Sequence, residues 1–225
     1  MLDQIKDVLK VFDENDLWDE GIELIGSWCF LFYQKHFGAK SYPLRTQDVD
    51  FLIPLPYKGQ KKFDVGNALE KLGFQYRFNP DGSIYYWTTD LKVEFLVPEH
   101  GKGVDHALSV KPLSLKATPL RFVSMLLKDP VTIRDGDITV KIPNPLNFCL
   151  HKLIIAQRRK KTDKKQKDIE QAIYTLPAIK IDEFIKEFNA LPKKWKGMIR
   201  KSLTQATQLL PWEHEIVERF FKTLK

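Results

Sequence analysis

Residues 45–53 read Arg-Thr-Gln-Asp-Val-Asp-Phe-Leu-Ile, and the reading of the whole chain depends on them. Val49, Phe51, Leu52 and Ile53 supply the β-branched, aromatic and aliphatic side chains of a half-buried strand. Alternation along such a strand turns Asp48 and Asp50 to one face. At about 3.3 Å of rise per residue their Cα atoms stand roughly 7 Å apart, near enough for both carboxylates to share a metal ion. Hard oxygen ligands of this kind suit Mg²⁺ or Mn²⁺. Spacing alone is weak evidence, because Glu14/Asp16, Asp135/Asp137, Asp168/Glu170 and Glu213/Glu215 repeat it. The neighbours of the pair have to set it apart.

Upstream, residues 22–25 form a short apolar strand running into Gly26-Ser27, and 28–37 follow as a helix apolar on nearly every side. Small residues at a strand-to-helix turn let a ligand approach the backbone, and a helix N-terminus offers free amides and a positive dipole end to phosphate. Downstream, Pro54 and Pro56 stop the strand. A basic loop at 58–62 leads to a helix over 63–72 that Gly73 ends. Residues 74–78, 84–88 and 91–97 then read as a β-meander, with Asn79-Pro80-Asp81-Gly82 and Thr89-Asp90 as its turns. In its last strand Val93, Phe95 and Val97 alternate with Lys92, Glu94 and Leu96, so Glu94 is an acid within an apolar strand and needs a partner, a structural salt bridge with Lys92 or a neighbouring strand being one reading. Tyr85, Tyr86 and Trp87 suit the meander core, and also the stacking of a base.

The remainder of the chain is coarser. Residues 2–12 carry apolar side chains at helical spacing. Past a Gly-rich loop at 101–103, residues 108–116, 120–127 and 138–142 read as strands, the middle one open between strand and short helix. Asn144 as N-cap and Pro145 in the first turn then open an all-helical third, near 145–160, 164–176, 181–190, 193–209 and 212–223. We therefore expect two domains, 1–143 and 144–225, with the helical one completing a cleft.

Composition narrows the setting. The chain has 225 residues, 43% hydrophobic and 29% charged, as in a folded globular protein. No apolar run approaches the ~20 residues of a membrane span, and the acidic start lacks the pattern of a signal peptide, so a cytoplasmic protein is expected. Cys29 and Cys149 lie among apolar residues and read as buried reduced thiols; His36 and His151 have no ligand spacing and read as structural. A net charge of +7 and a pI near 9.2 favour polyanionic partners.

The order β-Gly-Ser-α-β(Asp-x-Asp)-α-β-β-β(Glu), carried by Leu24-Ile25-Gly26-Ser27, Arg45 to Leu52 and Lys92 to Leu96, resembles the nucleotidyltransferase superfamily with its polymerase-β-like fold. The Arg-x-Thr-x-Asp-hydrophobic-Asp form looks most like the small bacterial nucleotidyltransferases that include abortive-infection and toxin-type members. The resemblance implies an α/β (α+β) fold with a mixed sheet. It also implies transfer of a nucleoside monophosphate from a nucleoside triphosphate to an acceptor hydroxyl, with pyrophosphate leaving. Asp48 and Asp50 would bind the metal, Mg²⁺ or Mn²⁺, and Glu94 would complete the site or act as general base, with Asp90 the fallback for the third acid. Gly26, Ser27, Arg45 and Thr46 would hold the triphosphate, ATP being one candidate.

In the helical third, 151–171 carries eight Lys/Arg against three Asp/Glu. Its core, Lys152 ahead of Lys164, Lys165, Lys167, Asp168 and Gln171, resembles the Lys/Arg followed by Lys-Asp on the helices that face the active site in the same branch. A Lys on an apolar helix must snorkel or meet an anion, and a triphosphate would be such an anion. A solvated charge run accounts for the cluster equally well, and Asp168 would then orient a neighbouring Lys. The acceptor stays open among RNA, a protein hydroxyl, an antibiotic and a small metabolite. The rival expectation is a protein that keeps this fold, has lost turnover, and binds nucleic acid or a protein partner.

Overall fold

The computed structural model describes residues 3–44, 46–59, 62–99, 103 and 106–224. Its elements run α1 (Asp3–Glu14), β1 (Glu23–Ile25), α2 (Cys29–Phe37), β2 (Asp48–Leu52) and α3 (Val65–Lys71). Next come β3 (Gln75–Phe78), β4 (Ile84–Trp87), β5 (Lys92–Pro98), β6 (Leu108–Val110), β7 (Leu115–Leu120), β8 (Val131–Asp135) and β9 (Ile138–Ile142). The chain ends in α4 (Pro145–Ala156), α5 (Thr162–Thr175), α6 (Ile181–Ala190), α7 (Lys193–Leu209) and α8 (His214–Lys222). It divides into two compact units, one of Met1–Cys29 with Arg45–Pro143, the other of Phe30–Leu44 with Asn144–Lys225.

The first unit is built on a mixed sheet ordered β1-β2-β5-β4-β3. β2 and β5 run parallel; β1 is antiparallel to β2, and β4 to both β5 and β3. β7 adds to the far end of β5, pairing Leu96 with Thr118, and the β6 hairpin follows it. Parallel β2 and β5 need a crossover, which α3 and the antiparallel β3-β4 hairpin supply. Asp64 caps α3, accepting from the Asn67 amide at 2.9 Å. One face of the sheet is the core. Val49, Phe51, Val93 and Phe95 are fully buried there, and Phe12 of α1 stacks on Phe51 with ring centroids 4.2 Å apart. α1 lies on this face because Ile5, Val8, Leu9 and Phe12 make one apolar stripe. Beyond Glu14 the chain turns at Asp16 in a left-handed conformation, and the Asn15 side-chain amide donates to the Val11 carbonyl at 2.7 Å.

The second unit is helical. α4 is buried almost end to end and packs on α5 and α7. Its start follows the expected signals: Asn144 accepts from the Asn147 amide at 2.8 Å, and Pro145 fills the first turn. Residues 30–44 join this unit through Phe30 and Tyr33, whose rings lie 5.7 and 5.1 Å from Phe148, and through the Lys40 amide, which donates to the Tyr174 carbonyl at 2.9 Å.

Expected and observed elements differ in the stretch from 108 to 142. The region read as 108–116 is two strands broken by a 3-10 turn at Lys111–Leu113, where Pro112 cannot donate a ladder hydrogen bond. Residues 120–127, open between strand and helix, contain a 3-10 turn at Val123–Met125. A strand at Val131–Asp135 was not expected; it pairs with β9 through a turn at Gly136, whose φ is +66°.

Candidate active site on the second face of the sheet

Alternation sends the even-numbered residues of β2 and β5 to the face away from α1. In the parallel register Asp48 stands beside Lys92 and Asp50 beside Glu94, so both aspartates and the glutamate share that face on adjacent strands. On the other side of β2, Ile25 pairs with Asp50, which puts the end of β1 next to the acid. Farther along the same face Ile25, Leu52, Leu96, Val123 and Leu126 form an apolar cluster. The acids therefore lie where the face changes from apolar packing to open surface: Asp48 is exposed and Asp50 half-buried. Of the five equally spaced acid pairs, this is the only one with both members inside a strand.

Gly26 explains the turn. Its φ is +78°, a left-handed conformation that side chains resist, and a Cβ placed there would lie 2.7 Å from Asp50 Oδ2. The carboxylate thus rests against bare backbone, and only glycine leaves room for it. Ser27 is half-buried in the 3-10 turn Gly26–Trp28 that leads into α2. Thr46 sits just ahead of the pair, and its Oγ1 accepts from the Asp48 amide at 3.2 Å, anchoring the start of β2. Arg45 lies outside the described residues.

Glu94 is in register with Asp50 and already partnered. Lys92 Nζ lies 2.9 Å from its Oε1, two residues along the same strand, and Asn79 Nδ2 reaches the same oxygen at 3.5 Å. Among the described residues no three His, Cys, Asp or Glu side chains gather as a metal-binding group. Asp90 occupies the exposed turn before β5, where its amide meets Thr88 Oγ1 at 3.3 Å, outside the ladder.

In the helical unit, Lys152 is 7% exposed and the anion it meets is Asp168, at 2.9 Å; Arg159 Nε closes on the other oxygen of Asp168 at 2.7 Å. Burial works against the charge of Asp168, but the Lys152 and Arg159 charges with their hydrogen bonds hold its carboxyl below the usual range. Lys164 is exposed and Lys167 half-buried on α5. His151 is buried, and burial, aided by the Lys152 charge, pushes its imidazole down to about 3, which keeps it neutral. Cys29 and Cys149 are buried thiols outside any disulfide, donating to the carbonyls of Leu24 at 3.3 Å and Ala172 at 3.4 Å.

One acid on this sheet was not singled out from the sequence. Glu23 of β1 pairs with Leu52, is 1% exposed, and burial, only partly opposed by the Lys141 charge, pushes its carboxyl up to about 8. Its position in an apolar strand, Ile22-Glu23-Leu24-Ile25, was the available signal. Arg77 carries no such local signal; its place beside Tyr85 depends on the pairing of β3 with β4.

Comparison with known proteins adds the following. A family model described as nucleotidyltransferase matches residues 3–190. No curated protein sequence matches. Among solved structures, an antigenic nucleotidyltransferase-like protein from Paracoccidioides brasiliensis is similar at 15% identity, covering 96% of this chain and 93% of its own with a TM-score of 0.51. The antibiotic-resistance factor ANT(2'')-Ia aligns at 11% identity over 98% of this chain and 90% of its own, with a TM-score of 0.38. The first of these likenesses shows the fold. No helix among the described residues is long and apolar enough to cross a membrane.

Proposed function

We propose a reaction for this protein from the premise that the chain belongs to the nucleotidyltransferase family, whose model spans most of it. The reaction is metal-dependent transfer of a nucleoside monophosphate from a nucleoside triphosphate to an acceptor hydroxyl, with release of pyrophosphate. The observation that carries it is the contact between Gly26 and Asp50: the strand-to-helix turn presses bare backbone to within 2.7 Å, measured from the missing Cβ, of a strand-borne carboxylate oxygen. A turn with no side chain there leaves its backbone bare beside the acid, where phosphate oxygens and carboxylates come together through a cation that both bind.

The residues fit a hard cation. Asp48 and Asp50 are oxygen donors on one strand face, and Mg²⁺ in nucleotide enzymes takes one or two carboxylates, completing its shell with water and substrate phosphates. Bound there, Mg²⁺ or Mn²⁺ would stabilise charge on the attacking and leaving oxygens. Gly26 and Ser27 hold the leaving phosphates, and Thr46 fixes the approach of Asp48 through its amide. Glu94, on the β5 side of Asp50, takes the proton of the acceptor hydroxyl, leaving its ion pair with Lys92 to do so. That same ion pair favours a second reading, a nucleotidyltransferase fold without turnover that binds nucleic acid or a protein, because it already occupies Glu94.

The test is a thermal-shift panel of the four nucleoside triphosphates with Mg²⁺ and Mn²⁺. At least one triphosphate should raise the melting temperature only with metal present, and Asp48→Asn or Asp50→Asn should remove that increment. No metal-dependent increment with any of the four favours the second reading.

A further inference from the structure

The acid-bearing face does not stop at Glu94. Following the register outward, Asp50, Glu94, Tyr85 and Arg77 stand side by side across β2, β5, β4 and β3, and the next row is Asp48, Lys92, Trp87 and Gln75. Tyr86, by contrast, is 3% exposed and points to the core face against Phe95, at 6.1 Å. Tyr85 and Trp87 are half-buried, and Arg77 and Gln75 are exposed on an edge strand whose four residues are all exposed. The two rings carry cations: Arg77 Cζ lies 4.5 Å from the Trp87 ring centre, and Lys92 Nζ lies 4.5 Å from that of Tyr85.

We propose that this Arg77-Trp87-Tyr85 surface is a stacking subsite for an unpaired base of a single-stranded nucleic acid whose terminal hydroxyl is the acceptor. A planar guanidinium laid on an indole is a two-layer platform, and bases stack on arginine planes as they do on aromatic rings. Arg77 supplies positive charge for the phosphates of a strand, in a chain with net charge +7, while Lys92 is held by its ion pair with Glu94. Position decides between a strand and the base of the triphosphate itself. In-line displacement puts attacking and leaving oxygens on opposite sides of the phosphorus. The Gly26 turn, on the β1 side of Asp50, takes the leaving pyrophosphate, so the acceptor enters from the β5 side. With strands about 4.8 Å apart, Tyr85 and Arg77 stand about 10 and 14 Å from Asp50 on that side, a reach suited to a base near the reacting end. This assignment of sides rests on the reaction proposed above.

The experiment measures binding of a short fluorescein-labelled oligoribonucleotide by anisotropy, without metal or triphosphate, so that its outcome is independent of turnover. Wild type should bind the single strand more tightly than a blunt duplex of the same sequence. Arg77→Ala and Trp87→Leu should weaken single-strand binding about tenfold, the loss of one stack. Arg77→Lys should recover little of it, because charge is kept and the plane is lost. Phe78→Ser, on the opposite face of β3, should leave binding unchanged. In a parallel arm, the metal-dependent thermal shift by triphosphate should be unaffected by Arg77→Ala. Single-strand binding that ignores Arg77→Ala and Trp87→Leu, or that Arg77→Lys fully restores, overturns the platform. So does a loss on Arg77→Ala of the triphosphate shift alone, which would give the stack to the nucleotide. A wild type that shows no triphosphate shift while keeping Arg77-dependent strand binding overturns the reaction and upholds the platform.

Discussion

Gly26→Ala separates the role of the turn from its stability. Two effects are built into the substitution. The first is conformational: a φ of +78° costs a residue with a Cβ about 1–2 kcal/mol. For a chain of this size that is a fall of roughly 2–8 °C in melting temperature. The second is local. The new Cβ would stand 2.7 Å from Asp50 Oδ2, well inside van der Waals contact, and the atom it meets is the end of a rotatable side chain. The carboxylate therefore swings away at little further cost in stability, and its displacement by about 1 Å should lower nucleotidyl transfer on the order of 100-fold. Gly136→Ala is the matched control, because Gly136 has a φ of +66° with no atom within 4 Å of its Cβ position and lies in the β8-β9 hairpin. It should lose comparable stability and no activity. The assay is transfer from an α-labelled triphosphate, run on both variants at a temperature where each is folded. A Gly26→Ala protein whose transfer stays within twofold of Gly136→Ala refutes the argument that this glycine exists to accommodate Asp50.

Glu23→Gln tests the buried acid of β1: its carboxyl is pushed up from 4.5 to about 8, so the folded state binds the proton more tightly and wild-type stability falls as pH rises through that interval, by on the order of 3–5 kcal/mol. The glutamine variant should show a much flatter melting temperature between pH 5 and 8.5, measured by calorimetry. Asp168→Ala leaves the Lys152 charge buried without its partner and should cost about 3–5 kcal/mol in denaturant unfolding at pH 7. Because the Asp168 carboxyl is held below 3.8, its contribution is complete at neutral pH and disappears as pH falls through that lowered value, so the gap between wild type and Asp168→Asn should close in strong acid. Cys149 is fully buried and burial pushes its thiol up, so a thiol reagent should label it in the native protein only as fast as the protein opens.

Much of the architecture was legible because it is local. Helices over 181–190 and 193–209 have the bounds their periodicity implied, and the Asn79 to Gly82 turn announced the meander that sets β5 beside β2. Strand β8 was missed because its alternation, Val131 and Ile133 against Thr132 and Arg134, runs for only four residues between Pro130 and Asp135, the shortest run that such a pattern can mark. The Asp48/Asp50 strand stood out because fully buried residues flank it on the core face, and the family followed from its place after Gly26-Ser27. What remained hidden depends on distant pairing. A lysine beside Asp168 and Lys92 as the partner of Glu94 were both open from the sequence, but nothing local says that the lysine is Lys152 on the preceding helix, or that Lys92 also lies over Tyr85. The row from Asp50 to Arg77 needs three strand registers at once. The hairpin turn alone, read as pairing Phe78 with Ile84, would have put Arg77 opposite Tyr85.

The most direct measurement is transfer of the labelled nucleoside monophosphate from an α-labelled triphosphate, with Mg²⁺ or Mn²⁺ and a mixture of candidate acceptors, by wild type, Asp48→Asn and Asp50→Asn. Metal-dependent transfer by wild type, with both variants reduced by at least about 100-fold and melting within a few degrees of it, is the expected result. Transfer that survives either substitution at the wild-type rate, or that proceeds equally in the presence of a chelator, would contradict the assignment of Asp48 and Asp50 as the metal-binding pair.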